Sequence, residues 1–161
     1  MIAASDPRIA DALRLCREVT RREARNFYYG LKLLPEPKRS ALYAIYAWMR
    51  AADDLVDDPK SSDAATGDRR RNIESYRGRT IAALESRDPA SEPVLAALQF
   101  AARRFRIDPR HLHDMLDGQL EDLHPRRLVA FRELELYCRR VASSVGLICI
   151  EVWGYRDPRA R

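Results

Sequence analysis

The chain has no run of about 18 apolar residues, which excludes a membrane-spanning helix. Glycine is scarce, 6 in 161 residues, and β-branched residues are thinly spread, so a hairpin-rich sheet is a poor match. A P-loop, a dinucleotide glycine fingerprint and a nucleophile elbow are all missing. The three cysteines, Cys16, Cys138 and Cys149, form no CxxC pair and are odd in number. That argues against a disulfide framework or a zinc site and predicts buried thiols in a reducing compartment. Met1 to Pro7 lacks the basic start and apolar stretch of a secretory signal, so a cytoplasmic protein is the expectation. Lysine is nearly absent: of 29 basic residues 26 are arginine.

What is present favours helices. Ala, Leu and Arg dominate a composition that is 46% hydrophobic and 33% charged, which fits one all-α domain with a sizeable core. The net charge of +5 is compatible with nucleic acid, anionic lipid or a phosphorylated small molecule as partner. The basic residues are dispersed apart from Arg69-Arg70-Arg71 and carry no interleaved aromatics, so a solvated helical surface remains the simpler reading and nucleic acid is not expected.

Helix punctuation is legible. Asp6-Pro7 and Asp108-Pro109 each combine an N-cap with proline at the first helical position. About six helices are expected: 7–26, 37–57, 69–86, 94–105, 109–123 and 129–152, with 59–68 as loop and Gly154 as the final stop. The last carries Tyr137, Val141, Val145, Ile148 and Val152 as one stripe. Asp157-Pro158 repeats the opening signal three residues before the end of the sequence, which reads as a helix cut short. The expected architecture is a partial all-α bundle.

The sharpest chemistry lies in YAIYAWMRAADDLVDDP, residues 43–59. On a helix, Tyr43, Tyr46, Arg50, Asp53 and Asp57 fall at spacings of 3, 4, 3 and 4 and share one face, with Asp54 beside Asp53. The pairs Asp53/Asp57 and Asp54/Asp58 set like charges at i,i+4, each costing ~0.2–0.5 kcal/mol. They also crowd a helix C-terminus, where the dipole disfavours each anion by a further ~0.3–1 kcal/mol. A cation removes the conflict. Carboxylates without Cys or an adjacent His suit a hard ion such as Mg²⁺, which takes one or two carboxylates plus substrate phosphates. A solvated acidic helix end with Arg50 as a local partner is the competing reading.

Three ordered blocks then carry a family resemblance. ARNFYYGLKLLPEPKRSALYAIYAWMRAADDLVDD (24–58), DGQLEDL (117–123) and YCRRVASSVG (137–146) resemble the squalene/phytoene synthase family of head-to-head prenyl synthases. In the last block Ser144 stands where members more often carry Thr, Ala or an aliphatic residue. The resemblance implies an all-α terpenoid-synthase-like fold. It also implies Mg²⁺-dependent joining of two farnesyl or geranylgeranyl diphosphates through a cyclopropyl diphosphate intermediate, with NADPH needed only in squalene-type members. By that resemblance Asp53 and Asp57 hold the metal with Asp54 beside them, and Arg50 touches the diphosphate. Asn26 lies near it, and Tyr137 serves the leaving group or stabilises cationic charge. Phe27, Tyr43, Val141, Val145 and Ile148 are candidate walls of an apolar pocket, although for any one of them ordinary helix-packing core is the simpler reading. Gly118 and Asp122 match their block without an assigned step.

The chain's main departure from the family is that the second acidic motif of the later helices is absent. The expectation is therefore an N-terminal portion of one prenyl synthase domain, inactive alone, that pairs with a C-terminal partner chain or self-associates. Peripheral membrane contact stays open. A non-catalytic helical module for diphosphate binding or protein interaction is the alternative. The 24–58 block leans towards squalene rather than carotenoid biosynthesis.

Overall fold

A computed structural model of the chain describes residues 6–56, 64–124 and 127–160. Among these the structure is all-α, with no strand. The helices are α1 (Pro7–Glu23), α2 (Asn26–Leu31), α3 (Lys38–Val56), α4 (Ala64–Glu85), α5 (Pro93–Phe105) and α6 (Pro109–Asp122). A final helix follows as α7 (Phe131–Cys138), a π-helical turn (Arg139–Ser143) and α8 (Ser144–Trp153), after which Pro158–Ala160 forms a 3₁₀ turn.

The Asp-Pro signals act as read. Asp6 and Asp108 each accept a hydrogen bond through Oδ1 from the backbone N–H two residues on, at 2.9 and 3.0 Å. Asp157 does the same for Arg159 at 2.9 Å, ahead of the 3₁₀ turn. In all three the following arginine folds back onto its own aspartate, giving one Asp-Pro-Arg device used three times.

Several boundaries differ from expectation. The first helix stops at Glu23, because Arg25 adopts φ 32° and a separate short helix starts at Asn26. Residues 64–68, read as loop from their small polar composition, are helical. Of the cysteines only Cys16 is buried, and burial pushes its thiol up to about 12; Cys138 is exposed and Cys149 half-buried.

Packing divides the chain into two compact units, Met1–Arg50 with Arg79–Ile107 and Ala51–Gly78 with Asp108–Arg161. In the first, α5 lies against α1 and is buried around its whole circumference from Leu95 to Ala102. Its one buried polar residue, Gln99, donates to the carbonyls of Ser86 and Asp88 and accepts from Ala90 N–H, tying down the loop between α4 and α5. Trp48 Nε1 donates to Thr80 Oγ1 at 3.1 Å, and Thr20 Oγ1 donates to the carbonyls of Cys16 and Tyr43. Buried polar groups without such partners would cost ~1–3 kcal/mol each.

In the second unit α6 runs antiparallel to the final helix in one register, recorded by Asp108 with Glu151, Gly118 with Val141 and Asp122 with Tyr137. At Gly118 the two backbones approach closely. A Cβ there would sit 2.7 Å from Val141 Cγ1 and 3.4 Å from its backbone nitrogen. Val141 lies in the π turn, where Ser144 N–H bonds the carbonyl of Arg139, five residues back. The carbonyl of Arg140 thereby loses its α-helical donor, and Ser144 Oγ supplies one at 2.5 Å. The extra residue rotates the stripe: Ser144, Ile148 and Val152 are buried, whereas Val141 and Val145 are half-buried.

Gly118→Ala tests this contact. Overpacking costs ~1–3 kcal/mol and exceeds the ~1 kcal/mol gained in helix propensity. The urea midpoint should therefore fall; a rise equal to the propensity gain would show that the helices do not approach this closely.

Candidate functional site

The C-terminal turns of α3 bring the acidic cluster to the second unit. Asp53 is half-buried and Asp54 exposed; Asp57, the second carboxylate singled out in the sequence, lies outside the described residues. The Asp53 carboxylate is held from α6, where Gln119 Nε2 donates to Oδ1 at 2.5 Å. The end of the helix receives a cation as well: Arg69 Nη1 donates to the carbonyl of Val56 at 3.0 Å, opposing the dipole that disfavours acidic residues here. Its neighbours are engaged locally, Arg70 with Glu74 at 3.0 Å and Arg71 with Asp68.

Polar groups from α6 reach several partners within this unit. Asp117 pairs with Arg77 of α4 and Glu121 with Arg140 of the π turn. Tyr137 Oη donates to Asp122 Oδ1 at 2.9 Å, and this bond, followed by burial, raises the phenol above its usual 10. The phenol therefore stays a proton donor at neutral pH. Val141 and Val145, the proposed apolar walls of this region, are half-buried on the same helix.

The remaining candidates belong to the first unit. Arg50 is half-buried and adds to the field, led by a hydrogen bond from Arg22, that lowers Glu23. Asn26 is exposed, and Phe27 is 72% exposed rather than set into a pocket wall. Tyr43 is buried at 2% exposure against Tyr28 and borders a cavity whose walls include none of Asn26, Phe27 or Arg50.

Among the described residues no three His, Cys, Asp or Glu side chains converge to hold a metal. The donors that α3 presents are carboxylate oxygens, Asp53 and Asp54, the one or two that Mg²⁺ ordinarily takes from protein. That donor chemistry fits a hard divalent ion. Sequence reasoning missed Gln119, although a signal existed. It extends the apolar stripe Leu112, Met115, Leu116 towards Leu123, so a polar residue interrupts a buried face. Its partner, 66 residues away, left no trace in local spacing.

The Tyr137–Asp122 bond has a direct readout. Because the folded pKa is raised, its contribution to stability is present below the ordinary tyrosine value and is lost as pH rises through the folded one. In an absorbance titration, read as the difference from Tyr137→Phe, the Tyr137 midpoint should fall in Asp122→Ala. An unchanged midpoint would mean the bond is not formed.

Comparison with known proteins places these features in context. A family model described as squalene/phytoene synthase matches residues 20–161. A phytoene synthase of Arthrospira platensis is 40% identical over 153 residues, covering 92% of this chain and 46% of the relative. One from Mycobacterium tuberculosis is 37% identical over 146 residues, covering 91% and 46%. The chain thus spans about half the length of the curated relatives it matches. Among solved structures, a dehydrosqualene synthase in complex with ligand superposes with a TM-score of 0.77 at 27% identity, over 89% of this chain and 48% of that one. A squalene synthase from Alicyclobacillus acidocaldarius gives 0.81 at 24% identity, over 94% and 54%, a likeness of fold.

Proposed function

The chain belongs to the squalene/phytoene synthase family, and on that premise we propose that it supplies the first acidic half-site of a head-to-head prenyltransferase acting on farnesyl or geranylgeranyl diphosphate with Mg²⁺. The observation that carries this reading is the Gln119–Asp53 hydrogen bond, which orients a half-buried carboxylate at an acidic helix end. An acidic surface patch gains nothing from such a brace, whereas a metal ligand gains a fixed geometry.

Each residue has a role in this proposal. Asp53 and Asp54, with Asp57 one turn on in the sequence, hold the ion against the diphosphate. Arg50, one turn earlier on the same helix, adds a cation for the leaving group. When bound, Mg²⁺ neutralises charge on the departing diphosphate. The Tyr137 phenol, whose one proton goes to Asp122 Oδ1, turns its ring and oxygen lone pairs to the cationic charge left when the diphosphate departs. Val141 and Val145 exclude water from the hydrocarbon tail. Asn26, Phe27 and Tyr43 are left out, since two are exposed and the third borders a separate cavity. The named sequence relatives are phytoene synthases, which supports a carotenoid-type substrate over the squalene lean of the 24–58 block.

Binding is the appropriate test, because the chain spans about half the length of its relatives. Calorimetric titration of farnesyl and geranylgeranyl diphosphate should show affinity that requires Mg²⁺. It should weaken ~10–100-fold in Gln119→Leu, the loss typical of a residue behind a metal ligand, and at least as much in Asp53→Ala. Metal-independent binding that ignores both substitutions would overturn the assignment.

A further inference from the structure

The cavity of the first unit is built for something the metal-dependent chemistry does not use. It has a volume of about 420 Å³, within the range of small-molecule sites. Its walls come from α1, from α2 with the turn that follows it, and from the start of α3. Arg14, Arg17, Lys32 and Arg39 give it four cations against one carboxylate, Glu36. That carboxylate is already occupied, accepting from Arg39 Nε at 2.8 Å and from Ser40 N–H at 3.2 Å. Arg14 is paired with Asp11 at 2.7 Å and Arg39 with Glu36, so the excess positive charge centres on Arg17 and Lys32.

The floor is aromatic. Tyr43 and Tyr28 stack with ring centroids 5.6 Å apart and planes at 19°. Lys32 Nζ stands 6.0 Å from the Tyr28 ring centroid, and the Arg17 guanidinium hydrogen-bonds the Tyr28 phenol. Tyr43 Oη, by contrast, is buried with no hydrogen-bond partner although its residue borders the cavity. A buried hydroxyl in that state is costly, and a ligand acceptor removes the cost.

We propose that this cavity binds a phosphate or diphosphate group carrying an apolar substituent, with Tyr43 Oη donating to an anionic oxygen, Arg17 and Lys32 supplying charge, and the two phenol rings with Leu13 receiving the apolar part. A neutral ligand would leave the cations uncompensated. An inorganic ion would leave most of the volume empty. The site is distinct from the acidic end of α3, since none of its walls is a carboxylate other than Glu36 and its chemistry asks for no metal.

The test uses the full chain in EDTA, so that it stands or falls independently of the Mg²⁺-dependent reading. Dodecyl phosphate, below its micelle concentration, should bind saturably and more tightly than inorganic phosphate. Tyr43→Phe should weaken it about tenfold, the worth of one hydrogen bond to a charged group, and Arg17→Gln should weaken it as well. Without ligand, Tyr43→Phe should melt higher by ~2–4 °C, because the orphaned hydroxyl is gone; that gain also shows that the variant folds. Co-sedimentation with phosphatidic acid vesicles, lost in both variants and without binding of the monomeric phosphate, would assign the same group to a lipid headgroup. No binding of either probe, or binding indifferent to both substitutions, would overturn the proposal.

Discussion

The close approach of α6 to the final helix at Gly118 is the contact on which the second unit depends. With no Cβ in the way, the two helices lie near enough for Asp122 to reach Tyr137 and Glu121 to reach Arg140. The same helix turns Gln119 to Asp53 and Asp117 to Arg77. A bulkier residue at 118 would push the backbones apart and disturb several of these bonds together, because packed helices move as rigid bodies. The π turn has its place in this economy. It carries Val141 across from the glycine, and Ser144 satisfies the carbonyl that the turn leaves over.

The first unit is stabilised differently. Its central helix is buried on every side, and the few polar groups inside the unit are matched one by one: Gln99 to the loop beneath it, Trp48 to Thr80, Thr20 to two carbonyls. Tyr43 breaks that pattern, with a buried phenol oxygen bonded to nothing beside a basic cavity. A polar group left unsatisfied in an otherwise well-matched core is a place where stability has been given up for binding.

Much of this was legible in the residues. The Asp-Pro caps fixed the starts of α1 and α6 because proline and a short acidic side chain act locally. The acidic end of α3 was legible as an electrostatic conflict, and the family followed from three ordered blocks. Other features were not. The break at Arg25 depends on a positive φ in a residue that does not demand one, and the π turn has no sequence marker of its own. Residues 64–68 were misjudged because they were read with the Pro, Ser, Asp and Gly of 59–68 as one loop, and the helix-forming Ala64 and Ala65 were not weighed against that. Gln119 was visible as a polar residue on an apolar face, but its partner Asp53 was set by the packing of two distant helices.

The most direct test of the account is a double-mutant cycle between Asp53 and Gln119, read on Mg²⁺-dependent affinity for a prenyl diphosphate. If α6 orients the carboxylate that meets the metal, Asp53→Ala and Gln119→Leu should couple by ~1–3 kcal/mol, the double variant binding little worse than Asp53→Ala alone. Strictly additive losses would contradict it, and would reduce the hydrogen bond between the two side chains to ordinary packing.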